Sequence, residues 1–156
     1  IPLGDDIELI ATTLWAHIPL QDAFRTEAVI SDFRRIRYGV EPLDFNRFND
    51  EHYRCFKFLR ESVSSSKAKH IIVATHHVPS FELMSPEFKG SDLNGAFTVE
   101  LGDYIAASPI EYWIYGHSHR NIDKVIGNTQ CISNQLGYVF SNEHSSFDRT
   151  KHIEIV

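Results

Sequence analysis

The sequence has 156 residues, the length of one ordinary domain, so a single hydrophobic core is expected. Apolar residues make up 42% and charged residues 23%, a balance that excludes an intrinsically disordered chain. The formal net charge is −6 and the basic residues are scattered, which argues against binding of duplex nucleic acid through a basic face.

The sequence also indicates the environment of the protein. No apolar run reaches the length of a membrane span, and the N-terminus has no signal pattern, so no membrane contact is expected. Cys55 and Cys131 lie in apolar surroundings without a CxxC spacing, which favours reduced core residues in a cytoplasmic protein. The chain begins at Ile1 without a methionine, so we expect it to be part of a longer protein.

The first half of the sequence predicts one strand and two helices. Residues 7–15 are short, apolar and rich in Ile and Thr, as in a buried strand. A helix is predicted over 20–33, where apolar residues are spaced along a polar segment. A second amphipathic helix is predicted over 48–63, with Asn49 as its N-cap and the serines at 64–66 as its end.

The second half predicts further strands around one helix. Residues 70–75 and 111–115 are continuous apolar runs typical of strands buried on both faces, and a loop over 81–96 and a helix from Phe97 to about Ser108 lie between them. Four β-like stretches follow: "IDKVIG", "TQCISN", "GYVFS" and "KHIEIV". The expected fold is therefore α/β, with a mixed sheet that ends in an antiparallel meander.

Histidines follow both of the predicted buried strands. His76 and His77 come directly after residues 70–75, whereas His117 and His119 come after residues 111–115. Ligands of open α/β sheets collect at the carboxyl ends of the strands, and neutral imidazole is a common metal ligand. We therefore expect the histidines to meet at one metal site, with Gly116 allowing the tight turn that points both rings inward.

Two motifs in this region resemble those of the calcineurin-like metallophosphoesterase family. They are Thr-His-His-x-Pro at 75–79 and Gly-His-Ser-His at 116–119. The segments "ATTLW", "ISDFRRIRYG", "SDLNGAF" and "SNQLGY" also resemble family segments. The resemblance covers nearly the whole chain and corresponds to the C-terminal half of the family's α/β/β/α sandwich, so residues 1–156 are expected to form a partial phosphoesterase domain.

The resemblance implies a site for divalent metal ions of the manganese, iron or zinc type. By it, His76, His117 and His119 are catalytic metal ligands, with His76 and His117 on one ion and His119 on a second. Such enzymes use two ions to present a hydroxide for in-line attack on phosphorus. The implied substrate is a small phosphate ester, either a monoester or a diester, or a nucleotide.

The family's first three motifs, Asp-x-His, Gly-Asp-x-x-Asp and Gly-Asn-His, are absent from the sequence. Residues 50–52 read Asp-Glu-His, but they lie at the start of a predicted amphipathic helix rather than after a buried strand. Three imidazoles without a carboxylate would hold one zinc-like ion at best. We therefore expect this chain alone to bind metal weakly and to turn over little substrate.

Four residues are candidates for supporting roles. His77 is expected to pack beside the site, with a ligand role as the alternative. Asn134 is expected to fix the turn after the metal loop, with substrate contact as the alternative, and Asp123 is a candidate to orient a ligand imidazole. Gly116 is the fourth. The remaining histidines His52, His70, His144 and His152 have no partner at ligand spacing.

Two alternatives to a phosphoesterase remain open at this stage. One is a non-catalytic module that holds at most one metal ion and acts in association. The other is an unrelated zinc hydrolase or cupin that uses the His-x-His pair, although the long match of both motifs argues against it. Half of a sheet would leave an unpaired strand edge, so self-association is also expected.

Overall fold

The structure is a computed structural model that describes residues 1–155. The strands are β1 (Ile7–Thr12), β2 (Arg37–Tyr38), β3 (Glu41–Pro42), β4 (His70–Thr75), β5 (Ile110–Tyr115), β6 (Lys124–Ile126) and β7 (Thr129–Ser133). The helices are α1 (Ala23–Val29), α2 (Asp32–Arg35), α3 (Phe45–Ser65) and α4 (Gly102–Ala107). Short 3₁₀ turns fill several of the connections.

One five-stranded mixed sheet forms the centre of the fold, in the order β1-β4-β5-β7-β6. Strands β1, β4, β5 and β7 run parallel, and β6 pairs antiparallel with β7. Val73 in β4 and Trp113 in β5 are fully buried, as expected of central strands covered on both faces. The predicted mixed α/β fold is therefore confirmed.

Helix α3 is amphipathic and turns Phe48, Leu59 and Val63 toward the core. Its N-cap is Asp44, whose side chain accepts a hydrogen bond from the backbone N–H of Arg47, so the prediction of Asn49 as the cap is wrong. Asn49 lies inside the helix, where its amide donates to the carbonyl of Ile18 and accepts from its N–H. The helix thereby holds the segment that follows β1.

Two predicted helices are shorter than their patterns suggested. The segment 20–33 is a 3₁₀ turn followed by α1 and the start of α2, because the backbone is extended at Ile30. The helix expected from Phe97 starts only at Gly102. The reason is that residues 97–101 pair with the backbone after β4, through the N–H groups of Val99 and Leu101.

The predicted antiparallel meander is reduced to the hairpin of β6 and β7. Residues 139–141 and 143–146 are 3₁₀ turns rather than strands, and the left-handed backbone of Asn142 separates them. Residues 151–155 form no strand; instead, the carbonyl of Glu154 accepts a hydrogen bond from the hydroxyl of Tyr112. Val156, the last residue of the predicted fourth stretch, lies outside the described residues.

Residues at the N-terminus cover part of the free edge of β1. Ile1 exchanges backbone hydrogen bonds with Leu9, and Leu3 donates to Ile7. Cys131 is buried and Cys55 is partly buried, and both are free thiols. Within residues 1–155, no helix combines the length and apolar character that crossing a bilayer would require.

Candidate metal-binding site

The candidate site lies where the parallel strands β1, β4 and β5 end side by side. The segments that leave β1 and β5 contain the non-glycine residues Leu14, Trp15, His117 and His119 with positive φ angles of 68°, 53°, 70° and 53°. Such angles are uncommon outside glycine, and they tend to occur at functional sites where the surrounding structure enforces them. Both segments are therefore held in conformations that isolated chains would avoid.

Helix α3 holds the left-handed turn after β1. Nδ1 of the buried His52 lies 3.2 Å from the carbonyl oxygens of both Leu14 and Trp15. One residue earlier, the carbonyl of Thr13 accepts the backbone N–H groups of His76 and His77, each at 3.3 Å. The turn after β1 thus positions the histidine segment after β4.

His76 and His117 form the centre of the site. Nε2 of His76 and Nδ1 of His117 lie 2.9 Å apart, and the ring centroids are separated by 4.6 Å. Two imidazole nitrogens bound to one tetrahedral zinc ion would lie about 3.3 Å apart. The pair therefore fits a shared ion after a displacement of a few tenths of an ångström, and it is the pair to which the family resemblance assigns one ion.

Both rings are biased toward the neutral form that binds metal. Burial, together with the neighbouring imidazoles of His76 and His119, lowers the pKa of His117 to about 4, and the backbone of Ala96 partly opposes this shift. Partial desolvation and the nearby His119 also lower the pKa of His76, whereas Asp32 raises it. A metal ion could therefore bind both rings at neutral pH without net proton release, once the proton in the contact between the two nitrogens has moved to the other nitrogen of its ring.

His77 packs behind the pair rather than beside the open cavity. Its side chain is only 3% exposed, and its ring lies 4.4 Å from that of His117 and stacks on Trp15 at 5.6 Å. Nδ1 is 3.3 Å from the Thr13 carbonyl, whereas the buried Nε2 has no hydrogen-bond partner in the described structure. Burial lowers the pKa of His77 to about 2, so this ring stays neutral.

His119 is oriented by a carboxylate that the sequence analysis did not identify. Oε2 of Glu143 lies 2.9 Å from Nδ1 of His119, and the Tyr138 ring packs edge-on against the imidazole at 4.7 Å. Metal-binding histidines commonly donate their second ring nitrogen to a carboxylate in this way, which leaves Nε2 for the ion. Asp123, the predicted partner, instead contacts Lys151 and the N–H of Ser133, so that prediction is wrong.

Gln135 is a second residue that the sequence analysis missed. Its carbonyl oxygen accepts the N–H of His119 at 2.7 Å, and its amide donates to the carbonyl of Arg120 at 2.8 Å. Gly116, by contrast, has no positive φ, and an added Cβ would meet its nearest neighbour at an ordinary 3.5 Å. The inward turn is therefore made by His117 and His119 themselves, and the role predicted for Gly116 is wrong.

Asn134 holds the segment that follows β7. Its amide donates to the carbonyl of Asp148 at 2.7 Å and accepts the N–H of the same residue at 3.0 Å. These two hydrogen bonds tie the end of β7 to a residue 14 positions later in the chain, which is a long-range contact rather than a local turn. The adjacent Gln135, in the same "SNQLGY" segment, is the residue that reaches the metal loop.

A cavity of about 680 Å³ opens beside the three imidazoles of His76, His117 and His119. Its apolar lining comes from Val29, Ile30, Met84, Phe88, Leu93 and Phe97, and the ring of Phe97 stacks on His117 at 4.9 Å. Asp32 is the one acidic side chain in the lining that the described residues provide. Small-molecule sites commonly have this size and this predominance of apolar walls.

Ion pairs attach the 81–96 loop, which forms one wall of the cavity, to the rest of the protein. Asp92 pairs with Arg25 of α1 at 3.1 Å. This pair connects the loop to the helix whose end supplies Val29 and Ile30 to the cavity lining. Glu87 accepts a hydrogen bond from Arg120, the residue after His119, at 2.6 Å. These two exposed contacts connect the loop to α1 and to the residue after His119.

Within residues 1–155, no three side chains of His, Cys, Asp or Glu lie close enough together to form a complete metal site. The structure brings together the nitrogens of His76 and His117 and places His119 on the same cavity wall. His52 and His70 lie elsewhere and make structural contacts, the latter at 2.6 Å from Glu111. The described residues thus bring imidazoles together without a carboxylate that completes a metal site.

Comparison with known proteins adds one relative. The sequence matches no protein-family model. It is 28% identical over 165 residues to an uncharacterized protein of Acanthamoeba polyphaga mimivirus, and the alignment covers 97% of this chain and 56% of the viral protein. The chain therefore spans little more than half the length of the relative that it matches.

Proposed function

We propose that this chain contributes the histidine ligands of a metal-dependent phosphoesterase. The observation that carries the proposal is the 2.9 Å approach of His76 and His117 at the carboxyl edge of adjacent parallel strands. These are two of the three histidines that the calcineurin-like motifs designate as ligands. The third, His119, lies on the same cavity and has its own carboxylate partner.

In this proposal the residues of this chain hold and orient the metal ions, and they do not act as proton donors or acceptors. Burial and neighbouring imidazoles lower the pKa of both rings, with His119 acting on His76 and both His76 and His119 acting on His117, and neutral rings suit ligands better than a general acid. Divalent ions bound at such nitrogens would supply Lewis-acid polarisation of the phosphoryl oxygens. Gln135 and Glu143 fix the backbone and the ring of His119, so that the ligand set is oriented before any ion binds.

The proposed site needs carboxylates that this chain does not offer at ligand distance. Glu143 is already engaged by His119 and by the N–H of Tyr138, and these contacts fix its Oε2. Hard ions such as manganese favour oxygen ligands, whereas zinc accepts imidazole nitrogen. We therefore expect this chain to bind one zinc ion weakly, and a form extended by the acidic motifs to bind two ions.

The test compares this chain with a form extended at its N-terminus. Bound metal is measured by elemental analysis, and activity is measured as hydrolysis of bis-(p-nitrophenyl) phosphate. We expect two metals and turnover in the longer form, and His76→Asn, His117→Asn and His119→Asn should each abolish turnover there. His152→Gln, a change at an exposed histidine, is the matched control. An extended form that contains the acidic motifs but gains neither metal nor turnover contradicts the proposal.

A non-catalytic module that holds at most one ion is the second candidate. It is favoured by the lack of a three-ligand group among residues 1–155. In that case this chain and the longer form would bind the same single zinc ion, and neither would hydrolyse the diester. Metal stoichiometry therefore separates the two candidates independently of activity.

A further inference from the structure

We infer that the cavity beside the histidines binds an uncharged aryl group of a substrate that carries a single phosphoryl group. The inference rests on the proposed function, because it takes the phosphoryl group to be held at the imidazoles. It concerns the organic group attached to the phosphoryl group, which the proposed hydrolysis does not specify. The argument depends on the size, the charge and the aromatic walls of the cavity.

The cavity is larger than a phosphate group requires. Its volume of about 680 Å³ lies within the usual range for sites that enclose small organic molecules. Val29 and Ile30 at the end of α1 form one apolar side, and Met84 and Leu93 of the 81–96 loop form another. Burial of an apolar group between these sides is favourable because it removes apolar surface from water.

The charges of the cavity exclude additional anionic groups. No lysine or arginine of residues 1–155 lines it, whereas Asp32 does. Guanidinium groups on the elements around the cavity are already engaged: Arg25 pairs with Asp92, Arg120 pairs with Glu87, and Arg34 donates to the carbonyls of Ala28 and Val29. A second phosphate or a carboxylate would therefore lose its hydration without gaining a cationic partner, and Asp32 would repel it.

Aromatic rings flank the imidazoles where the group next to phosphorus would lie. Phe97 stacks on His117 with an interplanar angle of 28°, and Tyr138 meets His119 edge-on at 85°. Phe88 also lines the cavity, and the guanidinium carbon of Arg120 lies 5.9 Å from the centroid of its ring. Aromatic side chains pack favourably on other rings in both stacked and edge-on arrangements, so these walls suit an aryl group.

Binding to this chain tests the inference. The probes are 1-naphthylphosphonate, phenylphosphonate, methylphosphonate and benzene-1,4-bisphosphonate, titrated by calorimetry in the presence of zinc. We expect naphthylphosphonate to bind at least about tenfold more tightly than methylphosphonate, because only the former fills the apolar cavity. The bisphosphonate should bind more weakly than phenylphosphonate. Asp32→Asn should reduce this difference in affinity, whereas Asp5→Asn, at the opposite edge of the sheet, should leave it unchanged.

Phe88→Ala and Phe81→Ala form the matched pair of variants. Both side chains are in the same loop and are similarly exposed, at 38% and 48%, but only Phe88 lines this cavity. We expect Phe88→Ala to reduce the preference for the naphthyl group several-fold and Phe81→Ala to leave it unchanged. Equal affinity for naphthyl- and methylphosphonate, or equal effects of the two variants, would overturn the inference.

A metal-free measurement separates this inference from the proposed function. The neutral probe 1-naphthol is titrated into the zinc-free chain and followed by NMR chemical shifts of Met84, Leu93 and Phe97. Shifts confined to these residues support the aryl cavity even if zinc fails to bind, which would count against the proposed function alone. Zinc binding without any shift from naphthol would overturn the cavity inference alone.

Discussion

Oε2 of Glu143 lies 2.9 Å from Nδ1 of His119 and also accepts the backbone N–H of Tyr138 at 2.6 Å. These two contacts place the carboxylate between the loop of residues 116–119 and the turn that carries Tyr138. The N–H of Tyr138 is the main cause that lowers the pKa of Glu143, and His119 contributes further. Glu143 is thus an ionised acceptor that sets the orientation of the His119 ring.

The first prediction concerns this contact. Glu143→Gln should weaken zinc binding by about 10- to 100-fold, because an amide is a poorer acceptor for the ring N–H of a ligand histidine. The dissociation constant is measured by competition with a chelating dye. Glu61→Gln, at an exposed position of α3, should leave the constant unchanged. A folded Glu143→Gln variant with unaltered zinc affinity would show that the contact between Glu143 and His119 does not contribute to zinc binding.

The second prediction concerns Gln135, whose side chain accepts the N–H of His119 and donates to the carbonyl of Arg120. Gln135→Ala should lower the free energy of unfolding by about 1–3 kcal/mol, because it leaves the N–H of His119 without its acceptor. Amide hydrogen exchange at His119 should also accelerate. Gln130→Ala, at an exposed position of β7, serves as the control. Unchanged exchange at His119 would contradict the assigned role.

The histidine cluster could be predicted because two simple rules converge on it. Continuous apolar runs identified β4 and β5 as buried strands, and parallel strands end at the same edge of a sheet, so His76 and His117 had to meet. Glu143 and Gln135 could not be predicted in this way. They lie 24 and 16 residues after His119, in irregular segments without periodicity, where no rule fixes the path of the chain.

The direction of β7 also lay beyond the sequence pattern. A short apolar run can pair with a neighbouring strand in either direction. The Gly127-Asn128 dipeptide, typical of a turn, indicates only that β6 and β7 form a hairpin. The parallel pairing of β7 with β5 follows from tertiary packing. Similarly, the helix expected from Phe97 was shortened because residues 97–101 extend to pair with the segment after β4. In this segment, backbone hydrogen bonds to the neighbouring segment outweigh the local helix propensity.

The third prediction is a loss of stability in acid that originates at His77. Burial lowers the pKa of this residue from 6.5 to about 2. As the pH falls below 6.5, the unfolded chain therefore gains a proton at this position while the native protein does not. Between these two pH values, His77 should lower the free energy of unfolding by about 1.4 kcal/mol for each unit by which the pH falls. His117 adds a similar effect down to about pH 4.

The variant His77→Phe tests this assignment. Its neighbours Trp15 and Phe48 are aromatic, and Nε2 of His77 has no partner in the described structure. The substitution removes only the 3.3 Å contact of Nδ1 with the Thr13 carbonyl, which keeps its backbone donors, so it should be tolerated. Urea unfolding between about pH 7 and about pH 5 should show a pH dependence reduced by close to one proton. His152→Gln, at an exposed site, should retain the original slope. An unchanged slope in His77→Phe would exclude His77 as the source.

The fourth prediction compares two glycines near the site. A Cβ added at Gly95 would lie 2.7 Å from the carbonyl oxygen of His17 and 3.0 Å from Cα of Ile18, so backbone would have to move. A Cβ added at Gly116 would meet nothing closer than 3.5 Å, and its φ is not positive. Gly95→Ala should therefore destabilise the protein by about 1–3 kcal/mol. Gly116→Ala should change stability by less than about 0.5 kcal/mol.

Urea unfolding measures both variants, and the ring resonances of His117 give a local readout. Gly95 is two residues before Phe97, whose ring stacks on His117, so a shift of the backbone at Gly95 should move the His117 resonances as well. Gly116→Ala should perturb them only slightly, although it adjoins His117 directly. If Gly116→Ala were the more destabilising change, a special conformational role for Gly116 would have to be reinstated, and the account of how the histidines turn inward would fail.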